Sequence, residues 1–146
     1  MKLQKAIRYT IIYLFVLLGS ATAQSNSPVT QRKIHLAGLQ VLSGPAADQY
    51  RGVSVGLEAY FSYLNDQGGI HGRRIDYKTL DTRMESLRVE KLIKNSIFQH
   101  PTLAVVGSVG EPVLNAYPNW FPLSGIPDLF GVARPKANNI GRIYFS

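Results

Sequence analysis

Apolar positions between residues 33 and 69 change their spacing once. Residues 33–41 contain closely spaced apolar side chains and end in a Ser-Gly-Pro turn, which predicts a buried first strand. From residue 46 to residue 65 the spacing becomes three and four, which predicts a helix. One face of this helix would hold the residues Val53, Leu57, Tyr60, Phe61 and Leu64. We expect Gly52 and Gly56 to permit a close approach to the sheet, and Gly68 and Gly69 to end the helix.

The same alternation continues towards the C-terminus. Residues 74–80 predict a second strand, and Thr82 and Glu85 have the spacing of a capping box that would begin a helix running to about residue 99. Residues 103–106 predict a third strand, followed by a short helix that starts at Pro112 and is limited by Pro118. Apolar residues at 126–130 and 143–145 predict two more strands. This order predicts an α/β fold, a Rossmann-like parallel sheet with helices on both faces.

The first 23 residues have the pattern of an export signal. Cations at positions 2, 5 and 8 precede an apolar run at 11–19, and small residues follow in an A-x-A pattern. The apolar run is about half of the roughly 20 residues that a membrane-spanning helix needs, which favours a cleaved signal over a membrane anchor. We therefore predict cleavage after Ala23, a polar linker at 24–32, and one folded domain over 33–146 in the periplasm.

Composition and charge limit the classes of molecule that this protein could bind. The chain has 146 residues, 45% of them hydrophobic, and no cysteine, so we expect one globular domain without disulfide bonds. Removing the three cations of residues 1–23 lowers the formal charge from +7 to +4. The remaining cations form no clustered basic stripe, so we expect no nucleic-acid partner.

Catalytic and cofactor motifs are absent from the sequence. The loop after the first strand lacks the G-x-G-x-x-G fingerprint of dinucleotide binding, and no Walker A motif occurs. His35, His71 and His100 have no metal-ligand spacing. Ser43 and Ser108 follow strands, but neither lies in a G-x-S-x-G elbow. We therefore expect no catalytic residue, no cofactor and no metal site.

Two small-residue loops could bind a ligand. The turn at Ser43 and Gly44 and the loop at 107–110 place hydroxyl and N–H groups at helix starts, where an anionic group is stabilised. A purely structural turn needs the same residues, so both interpretations stay open. In a parallel sheet these loops share the edge where ligands bind.

The order of these motifs resembles a known family. The segments on which the resemblance rests are 43–47 (SGPAA), 65–75 (NDQGGIHGRRI), Asp81, 104–107 (AVVG), 110–112 (GEP), 126–130 (IPDLF) and 135–136. They resemble the periplasmic solute-binding proteins of branched-chain amino acid ABC transporters. The resemblance implies a type I periplasmic-binding fold of two α/β lobes, of which this chain would be the N-terminal lobe, apparently truncated.

The resemblance also implies a function and a site. Such proteins close on a small amino-acid-like or amide solute between their lobes and deliver it to a membrane permease; they are not enzymes. The ligand-binding positions that we predict here are Ser43, Gly44, Ser108, Gly110, Glu111, Ala133 and Arg134. Glu111 replaces the usual threonine, and its carboxylate would repel a solute carboxylate while favouring an ammonium. Arg134 could bind an anion or point to solvent.

Alternatives to transport remain open at this stage. A periplasmic sensory or interaction module with the same fold could have degenerate or absent ligand binding, and an exported enzyme is a third interpretation. A fifth strand without a following helix would leave sheet surface uncovered, so we also expect self-association through that surface.

Overall fold

The computed structural model describes residues 27–132, except for the side chains of 117, 118 and 121–123 in the last helix. Strands and helices alternate along the chain. They are β1 (Lys33–Gln40), α1 (Ala47–Asp66), β2 (Arg74–Asp81), α2 (Ser86–Leu92, continued by a π-helical turn at Ile93–Ile97), β3 (Ala104–Val106), α3 (Glu111–Ser124) and β4 (Asp128–Leu129).

The four strands form one parallel sheet in the order β2-β1-β3-β4. β1 and β2 pair over eight residues, from Lys33 opposite Arg74 to Gln40 opposite Asp81. The shorter β3 pairs with β1 and with β4. All strands therefore end at the same edge of the sheet, and the predicted α/β fold is confirmed.

Helices cover both faces of the sheet. On one face, α2, its π-helical turn and α3 bury a core of Ala37, Leu39, Leu80, Val89, Ile93, Ile97, Val105, Val113 and Ala116. On the other face lies α1, where Phe61 packs against Tyr77 with ring centroids 4.9 Å apart and Glu58 accepts a hydrogen bond from Thr79 at 2.6 Å. Strand alternation explains this division, because Tyr77 and Thr79 point away from the face of Leu80.

The predicted buried face of α1 is partly wrong. Tyr60 is 56% exposed, whereas Ser54 is buried. Gly52 and Gly56 are exposed, and a Cβ at either position would meet nothing within 4 Å. These glycines therefore do not permit a close helix–sheet approach.

The predicted starts and ends of the later helices also need correction. Glu85 precedes α2 without forming a side-chain cap, and the Thr82 hydroxyl donates instead to the Gln40 carbonyl at 2.9 Å. The capping box is therefore not formed. α3 continues through Pro118 to Ser124 and ends at Gly125, whose φ of 69° is left-handed.

The chain before β1 folds back on the sheet. Val29 forms an antiparallel bridge with Ile34, and the Arg74 amide donates to the Arg32 carbonyl at 2.9 Å. Within residues 27–132, no helix is both long enough and apolar enough to cross a membrane. The predicted export signal and fifth strand lie outside the described residues.

Candidate functional site

An open pocket of about 880 Å³ lies where the strands end. Helix α1, the loop before α2, the start of α3 and the loop after β4 all contribute to it. Its lining residues are Tyr50, Met84, Ser86, Glu111, Pro112, Asn115, Gly131 and Val132. The edge is the one expected for ligand binding in a parallel sheet.

The loop after β1 is held by Asp81 at the end of β2. Asp81 Oδ2 accepts from the Ser43 hydroxyl at 2.5 Å, and Oδ1 accepts from the amides of Leu42, Ser43 and Arg83 at 3.0 to 3.3 Å. Desolvation raises the pKa of Asp81, but the bonds from the Ser43 hydroxyl and from these amides outweigh it and lower the pKa below its usual value. The Ser43 hydroxyl thus donates within the protein.

The loop after β3 is tied to β4. Ser108 is 2% exposed, and its hydroxyl donates to Asp128 Oδ1 at 2.9 Å. The Val132 amide donates to the Ser108 carbonyl at 2.7 Å. Burial raises the pKa of Asp128 to about 7, although the bond from Ser108 opposes this shift.

Two side chains on the α1 face hold the end of β3. Gln40 Nε2 donates to the Gly107 carbonyl at 2.5 Å, and the Tyr77 hydroxyl donates to the Val106 carbonyl at 3.1 Å. Burial raises the pKa of Tyr77 to about 12. A Cβ at Gly38 would collide with the Tyr77 ring and hydroxyl, so glycine is required for this arrangement.

Backbone amides of the loop after β3 are also used within the protein. The Gly107 amide donates to the Leu129 carbonyl at 2.7 Å and the Val109 amide to the Leu39 carbonyl at 2.8 Å. The Gly110 amide donates to the Val132 carbonyl at 3.2 Å. These three N–H groups of the predicted anion-binding loop therefore already have acceptors.

Gly110 packs against Met84, which lines the pocket. Gly110 has a φ of 98°, and a Cβ there would collide with the Met84 sulfur. Arg83 and Met84 both have left-handed φ values, of 53° and 63°. Two consecutive residues in this sparsely populated conformation turn the loop towards the start of α3.

Glu111 is the charged side chain among the described lining residues. It is exposed in the first turn of α3, and within residues 27–132 its carboxylate has no cationic partner at ion-pair distance. The other lining residues carry no carboxylate, ammonium, guanidinium or imidazole group.

One of the seven predicted ligand-binding residues lines the pocket in the described part of the chain. Glu111 lines the pocket; Ser43, Gly44, Ser108 and Gly110 lie in loops at the same sheet edge but are not among its lining residues. Ala133 and Arg134 lie outside the described residues.

Sequence reasoning missed Tyr50, Met84, Ser86 and Asn115, which also line the pocket. Tyr50 lies seven residues before Leu57 on α1, two helical turns along a partly buried face, and that spacing could have indicated it. The left-handed backbone at Met84 has no sequence signal, because methionine rarely adopts it. Among the described residues, no group of three His, Asp or Glu side chains could hold a metal ion.

Solved structures share this fold. A fatty acid ABC transporter substrate-binding protein from Thermomonospora curvata superposes with a TM-score of 0.63 at 20% identity, over 69% of this chain and 26% of its own. A possible leucine/isoleucine/valine-binding protein from Rhodopirellula baltica superposes with a TM-score of 0.59 at 24% identity, over 70% of this chain and 28% of its own. The branched-chain amino acid transporter substrate-binding protein of Streptococcus pneumoniae, in complex with isoleucine, superposes with a TM-score of 0.59 at 23% identity. The superposition covers 68% of this chain and 28% of that protein. This chain thus spans about a quarter of the length of each.

A family model extends the similarity to the sequence. No curated protein matches the chain significantly. The model described as periplasmic binding protein matches residues 33–141, which begin at β1 and include every strand and helix described above. The predicted resemblance is confirmed, and the chain belongs to the periplasmic binding protein family.

Proposed function

We propose that this chain is the N-terminal lobe of an exported substrate-binding component of an ABC transporter. Its solute is a small amino-acid-like or amide compound bound in the cleft between two lobes. The observation that carries this proposal is the open pocket at the carboxyl edge of the sheet, lined by parts of α1, α3 and the loops after β2 and β4. Binding needs no catalytic group in this role.

Export and delivery complete the proposal. The signal pattern at 1–23 would direct the chain to the periplasm, with cleavage after Ala23, and residues 33–146 would form the lobe. A membrane permease would then accept the solute. Family membership supports this assignment, because periplasmic binding proteins are solute-binding proteins.

A solute panel tests the proposal. Nuclear magnetic resonance titration of the purified chain with amino acids, their amides, short carboxylates and amines detects dissociation constants into the millimolar range. We expect at least one solute to shift the amide signals of Ser86, Glu111 and Val132, which belong to three different parts of the pocket wall. No shift across the panel, with the folded spectrum intact, would refute solute binding by this lobe.

A second candidate is a periplasmic sensory or interaction module without solute binding. The internal pairing of the Ser43 and Ser108 hydroxyls favours it, because groups predicted to meet a solute already have partners. Affinity capture by a purified permease would support transport. Absence of both solute binding and permease capture would favour the second candidate.

A further inference from the structure

The hydrogen-bonding groups around the pocket are unequally available. The Ser43 hydroxyl is bound to Asp81, and the Ser108 hydroxyl is bound to Asp128. The amides of Gly107, Val109 and Gly110 donate to backbone carbonyls. Pro112 has no amide hydrogen, and the Val113 amide donates to the Gly110 carbonyl. A solute carboxylate could gain these particular donors only by breaking existing hydrogen bonds, which leaves the side chains of Tyr50, Ser86 and Asn115 as the neutral donors of the wall.

Glu111 contributes the opposite kind of group. Its carboxylate lines the pocket and can only accept hydrogen bonds when ionised. Within residues 27–132 the guanidinium groups nearest in the chain are engaged elsewhere: Arg83 lies 3.8 Å from Asp81, and Arg88 donates to the Asp81 carbonyl at 2.6 Å. The described cations therefore do not neutralise Glu111 by direct contact.

Other lining residues favour an apolar body. Tyr50, Met84, Pro112 and Val132 present ring, thioether, methylene and methyl groups, while Ser86 and Asn115 add neutral hydrogen-bonding groups. Glu111 is exposed, so it would contact a solute cation at the surface of the pocket while the apolar groups of the wall contact the rest of the solute.

We propose that the pocket selects solutes that carry a positively charged nitrogen on a small apolar body, and that Glu111 is the specificity-determining residue that binds this nitrogen. This inference rests on the proposed solute-binding function and adds to it the charge class of the solute. A neutral amide, which offers N–H donors, would rank second, and a carboxylate without an amine would rank last.

Three probes with the same branched carbon skeleton test the charge preference: 3-methylbutylamine, 3-methylbutanamide and 3-methylbutanoate. Each is titrated against the whole chain at pH 7.5 and followed by amide chemical shifts. For the wild type we expect the amine to bind about tenfold more tightly than the carboxylate, roughly the effect of one charge-assisted contact.

Two substitutions assign the preference to Glu111. We expect Glu111→Gln to reduce the amine-to-carboxylate ratio to about twofold or less, and Glu111→Lys to reverse it. Glu90→Gln serves as the matched control, because Glu90 is exposed on α2 and does not line the pocket. This control should keep the wild-type ratio.

The outcomes separate this inference from the proposed function. Binding of the carboxylate in preference to the amine, or an unchanged ratio in Glu111→Gln, would overturn the charge selection while solute binding stands. Binding of none of the probes and of no member of the wider panel would overturn both. The wild-type comparison alone decides the preference if a Glu111 variant fails to fold.

Discussion

The Ser108 hydroxyl and the Asp128 carboxylate lie 2.9 Å apart and join the ends of two neighbouring strands. Ser108 follows β3 and Asp128 begins β4, so their hydrogen bond holds the loop after β3 against β4. Asp128 is only partly exposed, and this burial disfavours its charged form. The stability of the lobe should therefore depend on the protonation of Asp128.

The pH dependence of unfolding tests this expectation. The pKa of Asp128 is about 7 in the folded chain and near 4 when unfolded, so between these values the folded state holds a proton that the unfolded state has released. This group's contribution to the unfolding free energy should fall as pH rises from about 4 to about 7 and stay constant above. We expect Asp128→Asn to remove this fall and to stabilise the chain at pH 8 by about 1 to 3 kcal/mol.

Urea denaturation at pH 5, 6, 7 and 8 measures the effect of Asp128. Asp66→Asn is the control, because Asp66 is exposed at the end of α1. A parallel pH profile for wild type and Asp128→Asn would contradict the assignment of a raised pKa.

Asp81 should make the unfolding free energy depend on pH in the opposite direction from Asp128, with stability lost as the pH falls. Its carboxylate accepts four hydrogen bonds, from the Ser43 hydroxyl and from three amides, and its pKa is lowered. Its contribution to stability is present above the unfolded pKa near 4 and is lost as pH falls through the lower folded value. We expect Asp81→Asn to cost about 1 to 3 kcal/mol at pH 7 and less at pH 3, as measured by urea denaturation. An equal cost at both values would show that shape, not charge, matters at this position.

Substitution of alanine for glycine should have opposite effects on stability at positions 38 and 52. Gly38→Ala places a Cβ against the Tyr77 hydroxyl and should destabilise the chain by about 1 to 3 kcal/mol. Gly52→Ala adds a methyl group on the exposed side of α1 and should stabilise it by about 0.5 to 1 kcal/mol through helix propensity. Thermal melts of both variants provide the comparison; a stabilising Gly38→Ala would rule out the close contact with Tyr77.

Substitutions at Thr82 and Glu85 test whether the loop before α2 has the observed hydrogen bonds or the predicted capping box. The Thr82 hydroxyl is buried and donates to the Gln40 carbonyl, so Thr82→Val should cost about 1 to 2 kcal/mol. Glu85→Ala should change stability by less than about 0.5 kcal/mol, because its side chain makes no cap hydrogen bond. Thermal denaturation measures both; equal losses would instead indicate a reciprocal capping box.

Self-association through uncovered sheet surface remains a prediction. Phe130 follows the terminal strand β4 of the described sheet, is 80% exposed and has a left-handed φ of 58°. An exposed aromatic side chain beside a strand edge favours association. We expect light scattering to detect oligomers of the chain and Phe130→Ser to reduce them; a monomer at all concentrations would refute the prediction.

Local patterns were sufficient to predict the succession of strands and helices. Short apolar runs, each ended by a turn or a helix signal, indicated β1 to β4, and the paired glycines after Asp66 indicated the end of α1. These features depend on residues close together in the sequence. A parallel sheet follows from their alternation, because each intervening helix must return the chain to the same end of the sheet.

Long-range packing was needed to decide which side chains reach the pocket. Ser43 looks available in the sequence, yet Asp81, 38 residues later, accepts its hydroxyl hydrogen. Ser108 is engaged in the same way by Asp128, 20 residues later. Side-chain availability depends on partners brought together by the sheet, and spacing along the chain does not reveal them. The sequence could thus indicate the family and the pocket edge, whereas folding leaves Glu111 as the unpaired charge in the described pocket wall.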